Sequence, residues 1–416
     1  MDNIIFGVKR VLVWGLGVSG RWALELLKKE GYETLAGDDA RGDRWEDYIN
    51  LVDTVVLSPG IKPRHPLWIE PLRKGIEVIG ELELAFRFFK GKVIAVTGTD
   101  GKSTTVSMTH LILKESGINA VTCGNIGTPF SKVALENPNS VAVIEVSSFQ
   151  GKTLKKFRPL IGAFLNFHPD HLDWHPTLED YLSSKHRIFQ NQKEDDLFIA
   201  GSLQKEVVNT PTSARKVLAP LTDLPFDPSI LKVKGKHNLE NAKVSALIAS
   251  AMGVEMESIK ESLSKFRGLP FRMELVGKIR GVEIYNDSKS TTPNSLKSAL
   301  ESFPDSSVIL IAGGKNKGTD FSHLKELVAK KVKHAILIGE TKHLIKEAWD
   351  GSCEISLAED LPSAVKKAWN IASGGNFILL SPGCSSFDMF ESYIHRGQVF
   401  NRLVEDIIKS ENGGGG

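Results

Sequence analysis

Val93-Ile94-Ala95-Val96-Thr97-Gly98-Thr99-Asp100-Gly101-Lys102-Ser103-Thr104-Thr105 reads as an aliphatic run, a glycine-bearing turn and the polar start of a helix. Residues apolar on both faces belong to a buried parallel strand, and Met108, Leu111 and Leu113 continue the helix. Between a strand and a helix, glycines let successive backbone N–H groups point at phosphate oxygens, and the helix N-terminus adds a favourable dipole. Lys102 would neutralise β and γ phosphates, and Ser103 would offer its hydroxyl to Mg²⁺. An ordinary P-loop has glycine where this chain has Val96, which argues against a common kinase or GTPase and for a variant loop.

Two further openings of this kind flank the first. Val11-Leu12-Val13-Trp14 leads into Gly15-Leu16-Gly17-Val18-Ser19-Gly20 and a helix through Leu24, Leu26 and Leu27. Val308-Ile309-Leu310-Ile311-Ala312 leads into Gly313-Gly314 and a helix around Leu324 and Leu327. Three α/β units follow, each built on buried parallel strands. The charged Lys90-Gly91-Lys92 separates the first unit from the second, and Gly268 and Pro270 interrupt a helical stretch before the third. The expected domains are 1–90, 91–268 and 269–412, with 413–416 a flexible glycine tail. Gly15-x-Gly17-x-x-Gly20, with Asp38 and Asp39 about 20 residues on, fulfils the dinucleotide fingerprint and taken alone indicates an NAD-type cofactor.

Composition narrows the function classes. Lys and Arg number 52 against 50 Asp and Glu, so the net charge of +2 gives no footprint for nucleic acid or anionic lipid. Any bound anion must be held locally. Cys123, Cys353 and Cys384 are far apart and in no metal-like spacing, which fits a reduced, cytoplasmic protein. No apolar run approaches the roughly 18 residues that span a bilayer, and no signal-peptide core opens the chain. Glu145 follows Val141-Ala142-Val143-Ile144, so its carboxylate should emerge at a strand's carboxyl end, a hard ligand opposite Ser103.

The phosphate loop resembles the Gly-Thr-Asn-Gly-Lys-(Ser/Thr)-Thr loop of the Mur ligases, with Asp100 in place of the usual Asn. Downstream, Glu145-Val146-Ser147-Ser148-Phe149-Gln150, Asn166 to Asp173, Lys185, His237-Asn238, Arg272, Asn286-Asp287-Ser288-Lys289 and Ser381-Pro382-Gly383-Cys384 follow in that family's order. The resemblance therefore covers nearly the whole chain. It implies an N-terminal Rossmann-like domain, a central P-loop ATPase-like domain and a C-terminal Rossmann-like domain. It also implies an ATP-dependent ligase that activates a carboxylate as an acyl phosphate and joins it to an amino acid.

The resemblance assigns roles residue by residue. ATP would meet Gly98, Thr99, Asp100, Gly101, Lys102, Ser103 and Thr104 in the loop, with Asn238 and Asn241 reading adenine from one helix face and Arg272 and Asp287 contacting phosphate and ribose. Two Mg²⁺ ions would be held by Ser103, Glu145, His171 and Lys185, the lysine being carbamylated by CO₂ and so acting as a carboxylate. Lys102, His171, Lys185 and Lys289 are the catalytic set, Lys289 lying near the reacting phosphate. The first domain would hold UDP and not NAD, through Gly15, Leu16, Gly17, Asp39, Arg41, Ser58, Pro59 and Gly60, joined by Asn125. Thr291, Lys317, Ser386, Phe387 and Tyr393 would surround the incoming amino acid. The absence of an Asp-Asn-Pro-Arg run and the short chain favour D-glutamate over a diamino acid, with UDP-N-acetylmuramoyl-L-alanine as the other substrate. Peptidoglycan precursor synthesis by a cytoplasmic monomer, with no nucleic-acid or membrane partner, is the expected setting.

Two rivals stand beside this reading. A folylpolyglutamate-synthase-like ligase shares the loop but lacks a first-domain diphosphate site, whereas Gly15, Gly17 and Gly20 are present. A regulatory nucleotide-binding module without turnover would have no use for Glu145, His171 and Lys185 together.

Overall fold

The computed structural model describes residues 10–171, 174–224, 226–233, 235–316, 318 and 320–413. Its chain packs as two compact units, Met1–Phe266 and Arg267–Gly416. The first unit carries two sheets and the second carries one, so each of the three expected α/β openings seeds a sheet of its own.

Four parallel strands, β1 (Arg10–Trp14), β2 (Glu33–Gly37), β3 (Thr54–Leu57) and β4 (Glu77–Gly80), form the first sheet in the order β2-β1-β3-β4. The chain leaves β1 toward one side and returns on the other, which puts a topological switch point between β1 and β3. Open α/β sheets bind ligands at the carboxyl ends of strands at such a point.

The second sheet also lies in the first unit. Its strands are β5 (Lys92–Thr97), β6 (Ala120–Gly124), β7 (Val141–Glu145), β8 (Ile161–Phe164), β9 (Leu197–Ala200) and β10 (Arg215–Leu218), ordered β10-β9-β8-β5-β7-β6 and all parallel. Val93 to Thr97 are buried, as a strand covered on both faces requires. One apolar core runs through both sheets of this unit, joining Val11, Val13 and Leu27 with Ala95, Ile144 and Phe164. Short carboxylate clamps reinforce it: the fully buried Glu83 on the helix Glu81–Phe88 accepts the N–H groups of Lys155, Lys156 and Phe157.

The second unit holds β11 (Glu274–Ile279), β12 (Val282–Asn286), β13 (Val308–Gly313), β14 (Val332–Ile338), β15 (Glu354–Leu357) and β16 (Phe377–Leu380), ordered β11-β12-β16-β13-β14-β15. Strand β11 is antiparallel to β12, and the two are joined by Arg280 and Gly281. Both residues have positive φ, 50° and 76°, the signature of a hairpin turn that matches strand twist. The C-terminal helix begins at Tyr393 and continues through Gly413, so the first residue of the expected glycine tail is helical. Among the described residues no helix is long and apolar enough to cross a membrane.

Candidate active site

At the carboxyl end of β5 the chain turns through Gly98 and Gly101, both at positive φ, and enters the helix Lys102–Glu115. A Cβ on Gly101 would collide with Asn241 Oδ1, so only glycine lets this loop close against the helix Lys236–Ala251. Asn166, just past β8, fixes the loop from the other side. Its Oδ1 accepts the N–H groups of Thr99 (3.1 Å) and Asp100 (2.9 Å). Asn241 also accepts from Thr105 Oγ1 at 3.3 Å, so the amide expected to read adenine sits directly on the phosphate-loop helix.

Two lysines converge here. Lys102 Nζ donates to Gly98 O (2.9 Å) and Thr99 O (2.7 Å), and Lys185 Nζ donates to the same Gly98 O at 2.7 Å. Lys185 is 1% exposed, and its Nζ lies 4.6 Å from the centroid of the Tyr181 ring. Burial, aided by the charge of Lys102, pushes its ammonium well below the usual lysine range. A solvated surface lysine is thereby ruled out.

Glu145 ends β7 beside the loop. Ser103 Oγ donates to its Oε2 (2.7 Å) and Asn125 Nδ2 to its Oε1 (2.8 Å), so both carboxylate oxygens are aimed. Asn125, expected among the UDP contacts, orients this carboxylate. His171 has φ 54° and a side chain 44% exposed; its ring lies 4.8 Å from that of Phe149 and 6.1 Å from that of Tyr181. Tyr181 thus touches the surroundings of both Lys185 and His171, and its hydroxyl is 3.3 Å from Thr99 Oγ1. Among the described residues no group of three or more His, Cys, Asp or Glu side chains is gathered for a metal. The Ser103–Glu145 pair offers hard oxygen donors of the kind Mg²⁺ accepts when phosphate oxygens and water complete its shell.

The glycine turn of the first sheet is closed by side chains. Gly15 has φ +90°, and a Cβ there would meet Ser58 Cβ at 2.9 Å. Ser58 Oγ donates to Gly15 O at 2.5 Å, tying the turn after β1 to the turn after β3 across the switch point. Asp38 Oδ2 accepts the Leu16 N–H (2.5 Å) and Oδ1 that of Ala40 (2.9 Å), which holds its carboxyl below the usual range. Asp38 therefore serves the turn itself, and the exposed Asp39 faces outward with its Oδ1 near Trp14 Nε1 (3.3 Å) and His65 Nε2 (3.1 Å). Arg41 and Gly60 are exposed nearby, while Leu16 and Pro59 are half-buried.

In the second unit, Asp287 ends the strand β12 region buried, accepting from Ser381 Oγ (2.8 Å) and Met273 N (3.2 Å). Burial raises its pKa to about 7 against the lowering effect of these bonds and of Arg272. Lys289 Nζ stands 4.2 Å above the Tyr393 ring, a cation–π contact that joins two expected site residues. Ser386 is buried, Thr291 half-buried, and Phe387 is 69% exposed, which excludes a core role for that ring. Lys317 lies outside the described residues.

Comparison with known proteins adds to this geometry. Residues 96–220 match the Mur ligase middle domain and residues 271–384 the Mur ligase glutamate ligase domain. A UDP-N-acetylmuramoylalanine–D-glutamate ligase of Aquifex aeolicus is 56% identical over 95% of this chain and 98% of its own length. The chain belongs to the Mur ligase family. Another ligase of the same name, from Hydrogenobaculum, is 49% identical over 96% of the chain and 99% of its own length. Among solved Mur ligase folds, the UDP-N-acetylmuramate-alanine ligase of Thermotoga maritima superposes with TM-score 0.60 at 17% identity, covering 96% of this chain and 99% of that one. That likeness places the α/β architecture within the Mur ligase fold.

Sequence reading of the Mur ligase site overlooked Asn166 and Tyr181 as individual residues. Asn166 begins the run to Asp173, but nothing in its type announces that its amide braces Thr99 and Asp100. Tyr181 gave only the signal of an aromatic residue four positions before Lys185, one helical turn away.

Proposed function

We propose that this chain uses ATP to join D-glutamate to UDP-N-acetylmuramoyl-L-alanine through an acyl phosphate, a step in peptidoglycan precursor synthesis. The observation that carries the reading is the convergence of Lys102, Lys185, Ser103 and Glu145 on one glycine loop at the carboxyl end of β5. Near-full-length similarity to ligases named for that reaction supports it.

A carboxylate is a poor acyl donor, so it first attacks the γ-phosphorus and ADP leaves. The amine of D-glutamate then attacks the acyl carbon, the tetrahedral adduct collapses, and phosphate departs. Lys102 meets charge that grows on the transferring phosphoryl group, and the loop N–H groups orient it. Ser103 and Glu145 would hold Mg²⁺, which supplies charge neutralisation to the phosphates. The proposal includes a second ion near His171 and a carbamate on Lys185. A neutral buried amine reacts with CO₂, the N–C bond forms, a proton leaves, and the anion replaces an unfavourable buried cation. Asn238 and Asn241 would read adenine, Arg272, Asp287 and Lys289 would meet the remainder of ATP, and Thr291, Lys317, Ser386, Phe387 and Tyr393 would surround D-glutamate. A cytoplasmic monomer completes the proposal.

The first sheet bears on the choice of substrate. Its turn at Gly15, locked by Ser58 and Asp38, is a diphosphate cradle that a folylpolyglutamate-type ligase would not need. Phosphate release measured with ATP and the UDP-muramoyl-alanine substrate tests the whole reading, with D-glutamate, L-lysine and meso-diaminopimelate supplied in turn. Release with D-glutamate alone is expected. Release with either diamino acid and not with D-glutamate would overturn it.

A further inference from the structure

Ser148, His175 and Asp180 form a chain of hydrogen bonds, buried at Ser148 and His175 and half-buried at Asp180, that none of the roles above uses. His175 Nδ1 is 2.7 Å from Asp180 Oδ2, and its Nε2 is 2.9 Å from Ser148 Oγ. Both Asp180 oxygens also accept from Lys152 Nζ at 2.7 Å, a pairing that holds the carboxyl ionised against its burial. An ionised carboxylate can only accept, so Nδ1 carries the proton toward Asp180 and the Ser148 hydroxyl is free to donate to Nε2.

This is the order of atoms in a nucleophilic Ser-His-Asp triad, and burial decides against that use. Ser148 is 2% exposed and His175 0%, the imidazole being packed near Phe149, Trp174 and Tyr181. A substrate carbonyl has no path to a hydroxyl so enclosed. The relay's members are instead placed by what they adjoin. Ser148 starts the short helix three residues after Glu145. The N–H of His175 donates to His171 O at 2.9 Å, closing the turn in which His171 holds its left-handed φ. Asp180 lies on the helix Leu178–His186, and its carbonyl accepts from Ser184 Oγ (2.8 Å), the neighbour of Lys185.

We infer that His175 is a positioning residue, a side chain that ties together the three segments carrying Glu145, His171 and Lys185. The inference rests on the reading of those three residues as the metal and carbamate set. One imidazole with two fixed nitrogens bonds one segment on each side while its own backbone bonds the third. Phenylalanine in its place keeps the ring's packing and removes both bonds. Partners that orient metal ligands typically contribute about 10–100-fold to metal affinity or activity.

The test uses the full chain with a non-hydrolysable ATP analogue and Mn²⁺, followed by electron paramagnetic resonance of free Mn²⁺, beside phosphate-release kinetics and thermal unfolding. His175→Phe should raise the Mn²⁺ half-saturation on the order of 10-fold or more, and excess metal should recover part of the lost kcat. Ser148→Ala, which removes a single hydroxyl, should move the same constant in the same direction by less, and decides the matter if the phenylalanine variant does not fold. Loss of kcat or of melting temperature with an unchanged Mn²⁺ half-saturation would overturn the inference, leaving His175 a packing residue. Wild-type protein that binds Mn²⁺ with the nucleotide yet fails to use the muramoyl substrate would sink the proposed reaction and leave the relay standing. Wild-type protein that binds no Mn²⁺ with the nucleotide would remove the relay's object and the inference with it.

Discussion

Replacing Glu83 by alanine should destabilise the first unit more than any single change at its surface. The Glu83 side chain is fully buried. Its Oε1 accepts from Arg87 Nε (2.9 Å) and the Lys156 N–H (3.0 Å), and its Oε2 from the N–H groups of Lys155 and Phe157, each at 3.0 Å. Arg87 keeps its paired bonds to Glu77, both 2.8 Å, so its charge stays compensated in the variant. The cost therefore falls on three backbone N–H groups that lose their acceptor, each about 1–3 kcal/mol when buried. Relaxation and entering water bring the sum toward the low end, about 3–5 kcal/mol, the same scale as removing one partner of a buried ion pair. For a folded unit of this size that corresponds to roughly 6–20 °C in melting temperature. Glu83→Gln retains one acceptor oxygen and should cost about half as much. Scanning calorimetry and urea titration measure both variants. An alanine variant within about 1 kcal/mol of wild type would show that the N–H groups find other partners and that the clamp is incidental.

Lys102→Ala should keep the fold and lower phosphate release on the order of 10²-fold or more, because it removes a cation that meets transition-state charge; a near-normal rate would sink the phosphate-loop assignment. The first sheet should be stabilised against heat by UDP and not by NAD, and a thermal-shift titration giving the reverse would restore the dinucleotide reading of Gly15, Gly17 and Gly20. Glu81 is fully buried, and desolvation raises its pKa despite the Ser131 bonds, so its favourable contribution is complete below the unfolded value and is lost as pH rises through the higher folded value. Glu81→Gln, which mimics the protonated acid, should flatten that loss in denaturation measured from acid to neutral pH, and an unaltered profile would exclude Glu81 as its source. Lys185→Ala and Lys185→Arg should both be nearly inactive, with formate or acetate restoring part of the alanine rate alone, since guanidinium forms no carbamate; an active arginine variant would refute the carbamate.

The strands and the phosphate loop were legible because local rules write them directly. Val93 to Val96 can be buried on both faces only in a covered parallel sheet, and glycines at 98 and 101 fit a turn that needs positive φ. The hairpin of β11 and β12 was not anticipated, since its first turn residue is Arg280, which takes a left-handed φ that its side chain does not advertise. The glycine fingerprint was legible as geometry and ambiguous as chemistry, because a diphosphate on a βα turn looks alike for NAD and for UDP. Which of Asp38 and Asp39 braces the glycine turn is decided by a hydrogen bond to Leu16, a tertiary fact that spacing does not encode. Asn166, Tyr181 and His175 escaped for the same reason: each acts through a partner distant in sequence.

Lys185 shows how far a sequence reading and a physical one can part. In a sequence it is one of many helix lysines, and solvation is its ordinary fate. In the fold it shares the carbonyl oxygen of Gly98 with Lys102, so two amines sit within one hydrogen-bonding site. Two ammonium groups so placed repel, and desolvation penalises the more enclosed one most. Lys102 is half-buried on the loop, and its charge adds to the penalty on its neighbour. Lys185, almost wholly enclosed, is the amine whose charged form burial disfavours most. An unprotonated amine is the nucleophile that CO₂ needs, and converting it to an anion turns repulsion by Lys102 into attraction. The arrangement that makes Lys185 costly as a cation is thus the one that supports its proposed use as a carboxylate.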